Sequence, residues 1–128
     1  MTKPLKINVL NQPLKSCCDD PKTGFFRDGF CRTDDHDLGR HTICAIVTQE
    51  FLDFSLRKGN DLVTPSPRNS FPGLKPNDRW CLCAQRWQEA FFAGCAPKVD
   101  LQATDIKALD YVSLDALKSH SHVDELYR

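Results

Sequence analysis

The sequence predicts a small α+β two-layer sandwich, a short mixed sheet with helices packed on one face. Three observations carry this. Thr42-Ile43-Cys44-Ala45-Ile46-Val47 is a nearly continuous apolar run, the pattern of a central strand buried on both sides. Trp80–Ala84 is a second such stretch, entered through a proline turn and running straight into a helical segment. Beyond Thr42, strands and helices alternate, but the strands are few and the connections irregular, which argues against a doubly wound sheet.

Taken in order, Lys6–Leu10 alternates enough for a short strand, broken by Gln12-Pro13. Ser16–Gly24 is rich in turn formers and reads as a loop. Asp28-Gly29, between the aromatic flanks of Phe25–Arg32, is a hairpin signal. Thr33–His41 is a polar loop. Gln49–Lys58 is a helix. Thr48 caps it, Glu50 complements its dipole, and Phe51, Leu52, Ser55 and Leu56 share one face before Gly59 ends it.

Pro65, Pro67 and Pro72 exclude a helix from Asn60–Lys75. So long a segment is either a proline-stiffened connection or a lid over a site. Lys75-Pro76-Asn77-Asp78 is a turn, Trp80–Ala84 a strand and Gln85–Ala93 a helix stopped by Gly94. Val99–Ala103 alternates like a strand with one wet face. Thr104 caps a short helix over Asp105–Asp110, Tyr111-Val112 is extended, and Ser113 caps a helix over Leu114–His120.

The chain of 128 residues suits one domain, with a core over about residues 7–120 and a loosely ordered tail at 121–128. Seventeen basic and seventeen acidic side chains cancel, so no basic surplus points to nucleic acid. No apolar run approaches the roughly 20 residues of a membrane span. No long apolar stretch follows Met1–Ile7, so no secretory signal is expected and the cytoplasm is the expected location. Seven cysteines is an odd count, and in a reducing compartment they are expected as free thiols.

Side chains alternate along a strand, so Cys81 and Cys83 are expected on one face and Trp80 and Leu82 on the other. With Cys44 on a neighbouring strand and Cys31 in the preceding loop, Cys31, Cys44, Cys81 and Cys83 form a candidate zinc site. Only one close pair exists, Cys-Leu-Cys, where zinc sites usually show two knuckles. The same thiols can equally fill core space or react, with Cys31 or Cys81 beside His41 as a Cys–His pair. Cys17-Cys18, in a loop next to Asp19 and Asp20, reads as a bystander.

Arg27, Asp28, His41, Asn60, Asp61, Asp78 and Arg79 fall at the ends of expected elements, where rigid scaffolds place binding groups. Together with the Trp87 ring they are the candidate ligand-binding set, in a cleft between the 60–75 loop and the end of the sheet. The competing reading has the acids satisfying their own turns and the arginines in ion pairs. Asp34, Asp35 and Asp37 lack the ordered loop of a calcium site. No phosphate-binding glycine loop, nucleophile elbow or zincin helix occurs. Three functions stay open: a cytoplasmic small-molecule-binding module, a cysteine-ligated zinc protein, and a thiol enzyme.

Several strings resemble a known family. They are Asn8-Val9-Leu10 with Pro13-Leu14, Asp20-Pro21-Lys22-Thr23-Gly24-Phe25, Arg27–Thr33 and His41–Ala45. Gly59-Asn60-Asp61-Leu62, Phe71–Pro76 and Asp78–Ala84 with Arg86-Trp87 follow in the same order. The chain is similar over nearly its whole length to the mostly bacterial family called domain of unknown function 2237. The resemblance implies a single-domain α+β sandwich and no assigned activity. Cys18 and the extension after His120 look like departures from the family pattern.

Overall fold

In the computed structural model of the chain, the described residues are 6–18, 23, 28–33, 37, 40–69 and 71–122. The central strand is β1 (His41–Ile46), flanked by β2 (Arg79–Cys83) and β3 (Lys98–Val99), both antiparallel to it. Its central place explains the continuous apolar run, since every residue after His41 is buried. The expected mixed sheet is antiparallel in all three strands. Among the described residues, parallel pairing is confined to isolated bridges, Cys31 with Thr104 and Val99 with Ser121.

The two faces of the sheet are chemically different. Ile43, Ala45 and Val47 join Trp80 and Leu82 in one buried cluster with Phe51 and Leu52 of α1 (Gln49–Arg57) and Trp87 and Ala90 of α2 (Ala84–Phe92). Cys44 and Cys81 alternate to the other face and join Cys17, Cys31 and Ala103. Helices therefore cover one face, and irregular chain covers the other.

Local chemistry explains the elements. Thr48 Oγ1 accepts the Phe51 N–H at 3.1 Å and caps α1. The Trp87 indole N–H donates to the Pro97 carbonyl at 3.2 Å, which lets a polar ring lie fully buried. α3 (Leu114–Ser119) starts at its expected Ser113 cap.

Three expected elements come out differently. Asn8 is fully buried, and its side-chain oxygen accepts the Leu10 and Gln12 N–H groups. That folds the chain back through Asn11, at φ 64°, so Lys6–Leu10 makes isolated bridges to Pro13 and Asp105 and no strand. Asp100 caps a 3₁₀ turn at Leu101–Ala103 by accepting the Gln102 N–H, which ends β3 after Val99. Asp105 does the same for a 3₁₀ turn at Ile106–Asp110, closed by Tyr111, so Tyr111-Val112 is not a strand.

The free-thiol expectation is overturned. Cys17 is bonded to Cys44 and Cys31 to Cys81, with Cα–Cα separations of 5.6 and 5.1 Å. Cys18, Cys83 and Cys95 are in no disulfide. The odd total concealed two bonded pairs. Each pair ties the irregular N-terminal segment to one strand, which gives the second face of the sheet its cover. Among the described residues no helix is long and apolar enough to cross a membrane. Phe25, Phe26 and Arg27 of the expected hairpin, Asp34 and Asp35 of the acidic loop, and the tail from Val123 onward lie outside the described residues.

Candidate functional site

A cleft of about 220 Å³ opens at the end of β1 and β2, lined by His41, Asn60, Leu62, Trp80, Leu82, Cys83 and Arg86. Its position follows from a bulge. Ile43 pairs with Leu82, so regular pairing would set Thr42 opposite Cys83. The register shifts instead, and Cys83 stands opposite His41. A bulge of this kind re-aims a side chain at the end of a ladder. Just before it Arg40 holds a left-handed φ of 50°, and its carbonyl accepts both the Thr42 and Ala84 N–H groups. The turn into β1 and the start of α2 are thereby fastened together.

His41 is the oriented group of the cleft. Its Nδ1 lies 2.7 Å from Asp37 Oδ1. Asp37 is fully buried and also accepts the His41 N–H at 2.8 Å and the Thr33 hydroxyl at 3.0 Å. Burial pushes the Asp37 carboxyl up, but these hydrogen bonds and the attraction of His41 outweigh it and hold the pKa below the ordinary value. An ionised Asp37 fixes the proton on Nδ1 and leaves Nε2 as the free ring nitrogen.

Cys83 is half-buried, carries a free thiol and immediately precedes α2 without bonding to it as a cap. A helix start presents unpaired N–H groups and the positive end of the dipole, which suits an anion. Arg86, one turn on, spends one guanidinium nitrogen on the Lys58 carbonyl and Glu89. The third free thiol in the described set, Cys95, is buried, and burial pushes its pKa up, so it is a poor nucleophile.

The 60–75 loop forms one wall. Ser66 and Phe71 exchange both backbone hydrogen bonds, at 2.7 and 3.0 Å, and Leu74 N–H donates to Leu62 at 2.8 Å. The loop is therefore a closed, internally bonded wall. Phe71 packs on Trp80 with ring centres 5.1 Å apart.

Of the candidate ligand-binding set, the structure brings His41 and Asn60 into the cleft. The other described members serve local structure. Asp28 accepts from Phe30 N–H and pairs with Arg32 at 2.7 Å. Asp61 accepts the Val63 and Thr64 N–H groups, and hydrogen bonds from Thr64 hold its pKa low. Asp78 accepts the Lys75 N–H. Arg79 pairs with Asp100 at 2.7 Å, and Trp87 is core. Arg27 lies outside the described residues. Of the candidate zinc set, Cys31, Cys44 and Cys81 are brought together, with Cys17 as the fourth sulfur, while Cys83 stands apart in the cleft.

Sequence reasoning missed Asp37 as the partner of His41, although the two stand four residues apart. It missed Arg86, which follows Cys83 by three. It also missed Cys17, which no local pattern links to Cys44. A family model described as "Uncharacterized protein conserved in bacteria (DUF2237)" matches residues 7–121. No curated protein matches the chain.

Proposed function

The chain belongs to this family of uncharacterized proteins conserved in bacteria, so function must be argued from the site, and we propose a small cytoplasmic module that binds a small molecule in the cleft and attacks it through Cys83. One observation carries the reading. Cys83, in no disulfide, is the backbone register partner of His41 at the sheet end, both line the cleft, and the His41 Nδ1 is held by a buried carboxylate. That is the role pattern of an activated nucleophile: thiol, base and orienter.

In this reading His41 Nε2 takes the Cys83 proton. The thiolate then bonds to an electrophilic carbon of the ligand, and the displaced group leaves with the proton from Nε2. Arg86 and the start of α2 favour a ligand that carries an anionic group. Leu62, Trp80 and Leu82 form the apolar wall.

Mass-resolved alkylation of the native protein with iodoacetamide tests this. Cys83 is expected to react at least about tenfold faster than the same thiol in urea-unfolded protein at equal pH, and His41→Gln is expected to remove that advantage. A Cys83 that reacts no faster when folded removes the nucleophile role and leaves the cleft as a binding site only.

A further inference from the structure

On the opposite face of the sheet, we propose that Cys17, Cys31, Cys44 and Cys81 form a redox-gated metal centre. Oxidised, the four are two disulfides. Reduced, they are a four-thiolate site for Zn²⁺.

The geometry is already close. The sulfurs of Cys17, Cys31 and Cys81 all lie within 4.8 Å of one another, and the Cys44 sulfur is one bond from that of Cys17. A tetrahedral zinc with sulfurs at about 2.3 Å sets them about 3.8 Å apart. The Cys44 sulfur lies beyond 4.8 Å of at least one of the Cys31 and Cys81 sulfurs and has to move inward to complete the set, while each bonded pair opens by less than about 2 Å, within the reach of side-chain rotation.

The scaffold suits that change. Cys44 and Cys81 are register partners on adjacent strands and supply two fixed ligands. Cys17 and Cys31 sit in irregular chain, which can follow the metal. All four cysteines are buried and, among the described residues, no carboxylate joins the group, a soft donor set that favours zinc over calcium or magnesium. An independent observation marks the cluster as a place for negative sulfur. An Arg79 guanidinium nitrogen lies 3.7 Å from Cys44 Sγ, held there by Asp100 at 2.7 Å. A cation hydrogen-bonded to a ligand sulfur stabilises the thiolate and offsets part of the charge of a zinc tetrathiolate.

The electrons balance with ordinary partners. A dithiol reductant gives two electrons and two protons to each disulfide, so two dithiols convert the centre to four thiols. Zinc then displaces the four thiol protons. In reverse, each of two hydrogen peroxide molecules takes two electrons from a thiolate pair and two protons from solvent and becomes two waters, and zinc leaves as the disulfides re-form.

The test uses the full chain, reduced anaerobically with excess dithiothreitol, desalted and titrated with Co²⁺ and then Zn²⁺. One equivalent of Co²⁺ is expected, with the intense visible absorption of tetrahedral thiolate coordination, displaced by Zn²⁺. Cys17→Ser and Cys31→Ser are expected to lose that spectrum, and Cys18→Ser and Cys83→Ser to keep it. Unreduced protein is expected to bind none. Peroxide is expected to release the metal and restore the Cys17–Cys44 and Cys31–Cys81 linkages in a peptide map. If the reduced chain loses its fold by circular dichroism, one equivalent of Zn²⁺ is expected to restore it. The proposal is overturned by less than a tenth of an equivalent bound to reduced chain, by failure of zinc to refold it, or by a spectrum that survives Cys31→Ser. Loss of the spectrum in Cys83→Ser also overturns it. Cys83 reactivity is read separately by alkylation, so this proposal and the cleft reading stand or fall apart.

Discussion

Two buried aspartates show how residue-level surroundings set opposite dependences on pH. Asp37 has its pKa lowered in the folded chain, because the His41 and Thr33 hydrogen bonds outweigh burial. Its contribution to stability is present above the unfolded carboxyl pKa and is lost as pH falls through the folded value. Asp105 goes the other way. Burial raises its pKa above the ordinary value, and its Oδ2 has no hydrogen-bond partner among the described residues. Its contribution is present below the unfolded pKa and is lost as pH rises through the raised one. Urea unfolding between about pH 2 and pH 6 is expected to show a shallower rise of stability with pH in Asp37→Asn than in the wild type, and a steeper rise in Asp105→Asn. Identical slopes in all three proteins would refute both assignments. Neither aspartate announces its environment in the sequence, since the sign depends on which groups the fold brings to the carboxyl.

At the scale of elements, α1 and the β2–α2 unit form where local signals put them. Their caps, turn residues and apolar periodicity act over a few residues, so they can be read from the chain. Val99–Ala103 failed as a strand because Asp100 offered its side chain to the Gln102 N–H in place of a ladder partner. The 60–75 loop is held shut in part by Gly73, which sits at φ 82°, and a Cβ there would collide with the Val63 carbonyl. Gly73→Ala therefore combines a left-handed backbone penalty with overpacking. It is expected to cost about 2–4 kcal/mol by chemical denaturation and to raise the exposure of Trp80, seen as a shift in fluorescence. A loss below about 1 kcal/mol would mean that the loop moves aside and does not fix the cleft wall.

For the whole molecule, the disulfides decide how the N-terminal third is attached. They close segments with sequence separations of 27 and 50 residues, and chain entropy assigns each about 3–4 kcal/mol. The two segments overlap, so the joint contribution is smaller than the sum. The Cys17→Ser, Cys44→Ser double variant in EDTA is expected to lower unfolding free energy by about 2–4 kcal/mol. Its Trp80–Trp87 core is expected to stay native by near-ultraviolet circular dichroism, because that core lies on the other face of the sheet. Loss of that signal in the folded variant would show the two faces to be one cooperative unit that the bridge holds together.

The sequence by itself determined the α+β class, the central strand, both long helices and the split of Trp80 and Leu82 from Cys81. Each follows from periodicity or capping, which act between near neighbours. Tertiary structure alone decided the cysteine pairing, the bulge that sets Cys83 opposite His41 and the burial of Asp37 behind that ring. These depend on which distant segments meet, and Cys17 and Cys44, or Thr23 and Cys81 at 2.8 Å, become neighbours only when the chain closes over the sheet.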